Sequence, residues 1–294
     1  PDKTETASGV KDPVIDTTVS GGGSSSGGSS GGGGGTTVKT ATVTTADELT
    51  KALADTTVGV IKVSGTIGSE SAYGTYTVDR VVTIKSDAKA TVYGSFVVKA
   101  DGVVFDNLTI NNKYVDANSA NKNGISAYVD KLTVTNCIFN ANAVNGTYEP
   151  NGLVIFPKTA GANGYTITGN TFNGFNNVAN GAMYHSAGVF VAEGYPVNKK
   201  DFFGVKEATL SATVAAGVDE AIAEKNTFTN CAYGYVRMNE FGAEGAGVHV
   251  CYATVGNEAV LNNAIMYAAA QETVVLDDDI TLTQMVTIKG DKSL

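Results

Sequence analysis

The tripeptide Asn-Thr-Phe occurs at 170–172 and again at 226–228, with diverged relatives at Asn136-Cys137-Ile138-Phe139 and Asn107-Leu108-Thr109-Ile110. Short alternating, β-rich stretches accompany the copies, among them Tyr165-Thr166-Ile167-Thr168 and Leu132-Thr133-Val134-Thr135. A strand-plus-Asn unit recurring along a chain is the signature of stacked coils. In such a stack the same residue of successive coils falls in register about 4.8 Å apart, and inward Val, Ile and Phe make continuous apolar rows. An Asn at a corner bonds the amide above and below it, and it tolerates the left-handed backbone that a sharp corner needs.

The rest of the chain divides around this region. Residues 21–35 contain only Gly and Ser, and residues 1–20 show no apolar period, so 1–35 is expected to be a disordered tether spanning about 20 Å over its Gly/Ser part. Residues 36–253 are expected to form the β-domain. At its start, Thr45 is an N-cap candidate, Asp47 and Glu48 are acidic in the first turn, and Leu49, Ala52 and Leu53 share one face. This predicts a short helix that covers the open end of the stack. Strands follow at 60–63, 81–84, 96–98, 103–105 and 108–110, and another series opens on Gly124, Gly152, Gly188 and Gly234. The insertion at 195–224 holds a second helical stretch at 218–223. Helix-then-Val-Thr-Ile-Lys occurs twice, ending at Lys85 and at Lys289, so 254–294 is expected to begin a second, truncated unit.

Composition narrows the function classes. A formal charge of −9, with Arg80 and Arg237 the only arginines, argues against a nucleic-acid partner. Cys137, Cys231 and Cys251 are too few for a disulfide framework; they read as buried small hydrophobes, with a Cys231–Cys251 bridge the alternative in an oxidising compartment. No CxxC or HxxxH spacing suggests zinc, so no metal is assigned. The sequence contains no transmembrane run, and a start at Pro1 fits an export signal already removed.

The order of helix, Val-Ser-Gly-Thr-Ile (63–67), Val-Thr-Ile-Lys (82–85), Val-Phe-Asp-Asn-Leu-Thr-Ile (104–110) and Asn-Thr-Phe coils resembles the right-handed parallel β-helix proteins of the pectate-lyase-like superfamily. The resemblance covers about residues 40–252. It implies an all-β, right-handed parallel β-helix solenoid with an N-terminal capping helix. It also implies that a polysaccharide lyase or glycoside hydrolase must be weighed, since such lyases place calcium-binding carboxylates on strands near an Arg or Lys.

The strands here are short of carboxylates. Asp106 has no second Asp at the matching places, and calcium is not indicated as a cofactor. Arg237 with Glu240 is the best acid/base-like pair, and Glu193 and His185 complete the catalytic candidates an enzyme would need to bring together. Asp277-Asp278-Asp279 reads as a solvated turn, and His249, alternating with apolar residues, as packed. Tyr184, Tyr195, Tyr233 and Tyr235 are the candidates for stacking on sugar rings. The leading expectation is a secreted or cell-surface module with a structural, adhesive or glycan-binding role, its partner a polysaccharide or surface glycan; the alternative is a polysaccharide-degrading enzyme.

Overall fold

The computed structural model describes residues 38–112, 123–141, 150–175, 186–193, 212–231 and 233–237 in full, and the backbone alone of 14–16, 238–239, 247–253 and 268–276. The described strands form two hydrogen-bonded sheets, one of seven strands and one of thirteen. The larger sheet bends within strand Thr91–Val98. Its first half pairs with Thr66–Ile67 and Thr109–Asn112, and its second half pairs with Gly74–Val78 and Ile125–Ala127. The chain therefore lays down three walls in rotation, and one pass across all three makes a tier.

The first wall takes Val58–Val63, Thr83–Lys85, Val103–Asp106, Lys131–Thr135 and Gly164–Thr168, each parallel to the last. On the second wall Thr109–Asn112, Ile138–Ala141, Thr171–Asn173 and Thr227–Thr229 stack in the same way. The third continues through Leu153–Ile155, Ala187–Glu193 and Tyr233–Asn239. One hydrophobic core runs between the walls, with Phe105 from the first, Phe139 and Phe172 from the second and Leu153 from the third, all fully buried.

Period-2 patterning explains which face each strand turns inward. In Lys131–Thr135, Leu132 and Val134 are buried while the residues between them meet solvent. The third wall differs: Ile125–Ala127 and Leu153–Ile155 are buried on both faces, as the apolar run at 152–155 predicts. Tyr128, Val154, Phe156 and Ala192 form a second cluster there, with Tyr128 and Phe156 stacked 4.5 Å apart.

The corner from first to second wall is turned by one left-handed residue per tier, at Lys89, Asn107, Asn136 and Gly169. This corrects the sequence alignment. Asn136 is equivalent to Gly169, and it is Cys137 that matches the Asn of Asn-Thr-Phe, as the pairing of Ile138 with Thr171 fixes. Two kinds of Asn were therefore superposed. Asn136 and Asn107 bend the backbone, whereas Asn170 and Asn226 point into the wall. Asn170 is 1 % exposed; its Oδ1 accepts from Cys137 N at 2.8 Å, and its Nδ2 donates to Val134 O and to Asn226 Oδ1.

Helix α1 (Ala46–Ala54) starts directly after Thr45, the expected N-cap, and carries a full capping box between Thr45 and Glu48. Leu49, Ala52 and Leu53 are buried among the first strands. The expected strand at 81–84 is shifted to Thr83–Lys85, leaving Val81 65 % exposed. Helix α2 (Val218–Glu224) stands where the next first-wall strand would lie, its residues packing on Gly164–Thr168. Within the segment expected to be a tether, Val14–Asp16 pairs antiparallel with Lys39–Val43. Beyond Tyr233–Asn239, strand Gly247–Ala253 pairs antiparallel, departing from the all-parallel pattern, and Ala268–Leu276 then adds in parallel. Ala268–Leu276 lies in the stretch expected to open a second unit; the second Val-Thr-Ile-Lys and residues 277–279 lie outside the described residues. Among the described residues no helix is long and apolar enough to cross a membrane.

Candidate functional site

Two constellations carry chemistry, and they lie on opposite sides of the walls. The first is internal. Arg237 is in register with Val191, and Tyr235 with Val189, so both point toward the core as those valines do. Glu193 follows Val191 on the same face. Helix α2, which replaces a strand at this level, turns Asp219 into the same space. Arg237 donates from Nε to Asp219 Oδ1 at 3.0 Å and from its terminal nitrogen to Glu193 Oε1 at 3.0 Å. Tyr235 donates its hydroxyl proton to Asp219 Oδ1. Glu193 is 7 % and Asp219 9 % exposed.

The electrostatics are those of a largely buried network, with the Arg237 side chain 18 % exposed. Burial alone would lower the Arg237 pKa, but the Asp219 hydrogen bond and the Glu193 charge raise it above the ordinary guanidinium value. Burial, reinforced by the Asp219 charge, holds the Tyr235 phenol well above its usual range. Of the catalytic candidates, Arg237 and Glu193 are thus brought together, and Asp219 is the member that sequence reading missed. Glu240 and His185 lie outside the described residues, as do Tyr184 and Tyr195; for His249 only the backbone is described. Tyr233 and Tyr235 are both 0 % exposed, so neither ring presents a face to solvent.

The second constellation is the outward face of the second wall. Its core side is the row that includes Ile110, Phe139, Phe172 and Phe228, so residues on either side of that row face out. One outward rank reads Tyr93, Asn111, Asn140, Asn173, Thr229 in continuous register. Its amides form a chain: Asn140 Nδ2 donates to Asn111 Oδ1 at 2.8 Å, and Asn173 Nδ2 to Asn140 Oδ1 at 2.9 Å. The rank two residues earlier reads Thr66, Thr91, Thr109, Ile138, Thr171, Thr227. Neither rank contains Asp, Glu, Lys, Arg or His, although the chain is 17 % charged. The first wall's outward face, by contrast, carries Lys62, Lys85 and Asp106 in register, with Lys62 paired to Asp87.

At its Tyr93 end the uncharged face runs into an open groove of about 680 Å³ lined by Thr66, Gly68, Ser69, Glu70, Ser71 and Tyr93. Tyr73 meets the Tyr93 ring edge-on, with centroids 5.6 Å apart and an 83° angle between planes. Both tyrosines are partly exposed. A partly exposed aromatic ring beside hydroxyls and amides offers an apolar platform with donors and acceptors around it. A second groove, of about 490 Å³, lies between α2 and Gly164–Thr168.

No protein-family model, curated protein or solved structure matches the chain. The mostly parallel sheets, one of them bent back on itself around a common core, are what the structure itself establishes.

Proposed function

We propose that the chain is a right-handed parallel β-helix solenoid of the pectate-lyase-like kind, covered at its start by α1, and that it works outside the cell or at the cell surface as an adhesive or structural module binding a neutral glycan. The observation that carries this reading is the uncharged second-wall face, with its amide chain, threonine rank and Tyr93 groove. Hydroxyl-rich ligands are recognised by side-chain amides and hydroxyls together with an aromatic surface, and this face supplies all three.

The enzyme reading draws on the convergence of Arg237, Glu193 and Asp219. Against it stands their direction: the three groups point into the core and satisfy one another, whereas a sugar-cleaving pair must reach a ligand in a groove. Pull-down on insoluble neutral polysaccharides and a glycan array test the proposal. Retention that a soluble glycan competes away is expected. Absence of enrichment on every neutral glycan overturns the binding reading, and release of new reducing or unsaturated ends during incubation would move the chain to the enzyme class.

A further inference from the structure

Granting the glycan-binding reading, we propose that the ligand is a linear, extended, uncharged polysaccharide lying along the stacking direction of the second wall, one sugar to a tier, with its end held at Tyr93. The register supplies the periodicity. From Tyr93 through Asn111, Asn140 and Asn173 to Thr229, an outward polar group recurs once per tier, at the spacing of parallel strands, about 4.8 Å. This is close to the length of one pyranose ring in an extended chain, so successive sugars keep step with successive tiers; where each ring is turned over relative to the last, as in a β-1,4 chain, the same hydroxyl edge returns to a given rank at every second tier.

The amide chain fixes how each tier presents itself. Within it, Asn140 uses one Nδ2 hydrogen on Asn111 and one Oδ1 lone pair for Asn173. Asn140 thus keeps one donor hydrogen and one acceptor site that the amide chain does not use. A sugar hydroxyl, itself both donor and acceptor, can engage both. The threonine rank runs parallel about 7 Å away, at the two-residue rise of a strand, and gives the other edge of a flat ligand a second line of hydroxyls, interrupted by Ile138 in the Asn140 tier. Charge complementarity selects the class: two ranks without Asp, Glu, Lys, Arg or His, ending at a groove lined by the Glu70 carboxylate on a chain of net charge −9, favour a neutral ligand over an anionic one.

The two ends of the track differ. At Tyr93 the groove formed by the loop through Ser69 and Ser71 widens the face, and the ring edge-paired with Tyr73 is preset at low entropic cost. A terminal sugar can stack there while the rest of the chain follows the tiers.

The test is calorimetric titration with β-1,4-linked gluco-oligosaccharides from dimer to octamer, with the coiled α-1,4-linked series as a control. Affinity is expected to climb with each added sugar to about the pentamer, matching the five-residue rank, and then level off, with the α-series at least tenfold weaker. Tyr93→Ala should weaken every length by about tenfold. Asn140→Ala should weaken the pentamer by a similar factor and leave the dimer unchanged. Thr171→Lys, a surface change independent of the amide chain, provides the same comparison if Asn140→Ala does not fold. Binding that is independent of length, or equal for the two series, overturns the axial geometry while leaving glycan binding intact. Retention on other neutral glycans with no binding of either series also overturns it, and failure on the whole array removes the reading beneath it.

Discussion

Phe172 and Gly152 show how single residues set the packing of the stack. The rings of Phe139, Phe172 and Phe228 stack in a column, 4.7 and 5.4 Å between centroids. Each leans on a glycine of the preceding tier: a Cβ at Gly152 would stand 2.4 Å from the Phe172 ring, one at Gly188 2.5 Å from Phe228, and one at Gly124 2.9 Å from Phe139. Gly152 also faces the Gly188 carbonyl, so neither neighbour can yield easily. Gly152→Ala is therefore expected to destabilise by about 1–3 kcal/mol through overpacking, and Phe172→Ala by about 3–5 kcal/mol through loss of the buried ring; urea titrations of both variants check this. The cysteines are governed by burial. It pushes Cys137 up to about 12 and Cys231 up to about 11, leaving both as inert thiols at neutral pH. Neither should react with iodoacetamide until the chain is unfolded, and mass spectrometry of the native protein after labelling would show both unmodified. Because their folded pKa values are raised, their share of stability is complete below the unfolded thiol value and is lost as pH rises from there through the folded values.

At the level of elements, α1 is fastened at both ends. Glu48 Oε2 accepts from the backbone of Thr44 and Thr45, and this holds its carboxyl below the usual carboxylate range. At the other end Arg80 donates to the carbonyls of Ala52 and Leu53, the unpaired acceptors of the last turn, and to Val58. Arg80→Ala should therefore cost about 2–3 kcal/mol, the scale of charged hydrogen bonds to groups left unpaired, and Arg80→Lys should recover only part of it because a single ammonium cannot reach the same fork of acceptors. Differential scanning calorimetry would order the three proteins. The helix was legible in the sequence because caps and apolar spacing are local signals. Arg80 was not, since its acceptors lie more than twenty positions earlier. The corners were half legible for a related reason. Asn serves both the left-handed turn and the amide ladder, and Asn136 and Asn170 look alike until strand register separates them.

Across the whole molecule, the carboxylates set the acid limit. Besides Glu48, Asp130 lies below its ordinary value: burial pushes it up, but hydrogen bonds from Thr159 and Lys158 outweigh that. Asp55 and Asp87 are lowered as well, Asp55 by Thr57 and Asp87 by Lys62. Depressed folded pKa values mean that the unfolded chain takes up protons first as pH falls. The stability these groups supply is thus present above the unfolded carboxylate range, about pH 4, and drains away as pH drops through the folded values. Thermal melts should be flat from pH 7 to about 5 and fall steeply below 4. The internal network makes a separate prediction. Arg237→Met strands Asp219 and Glu193 and is expected to cost about 3–5 kcal/mol, whereas replacing all three by apolar residues of similar volume should restore much of it. Sequence reading found Arg237 because arginine is rare here, and it named Glu193 as a candidate, but it paired Arg237 with Glu240, a neighbour in sequence. Asp219 escaped it because a helix occupies a strand's place, which no repeat alignment shows.

The offset between phenylalanine and glycine also gives the stack a direction in time. A tier made during synthesis has a notch at its glycine that stays open until the next tier delivers a ring: Gly152 waits for Phe172, and Gly188 for Phe228. A chain emerging amino-terminus first thus always has one unfilled notch at its growing edge, and each new turn completes the one already made.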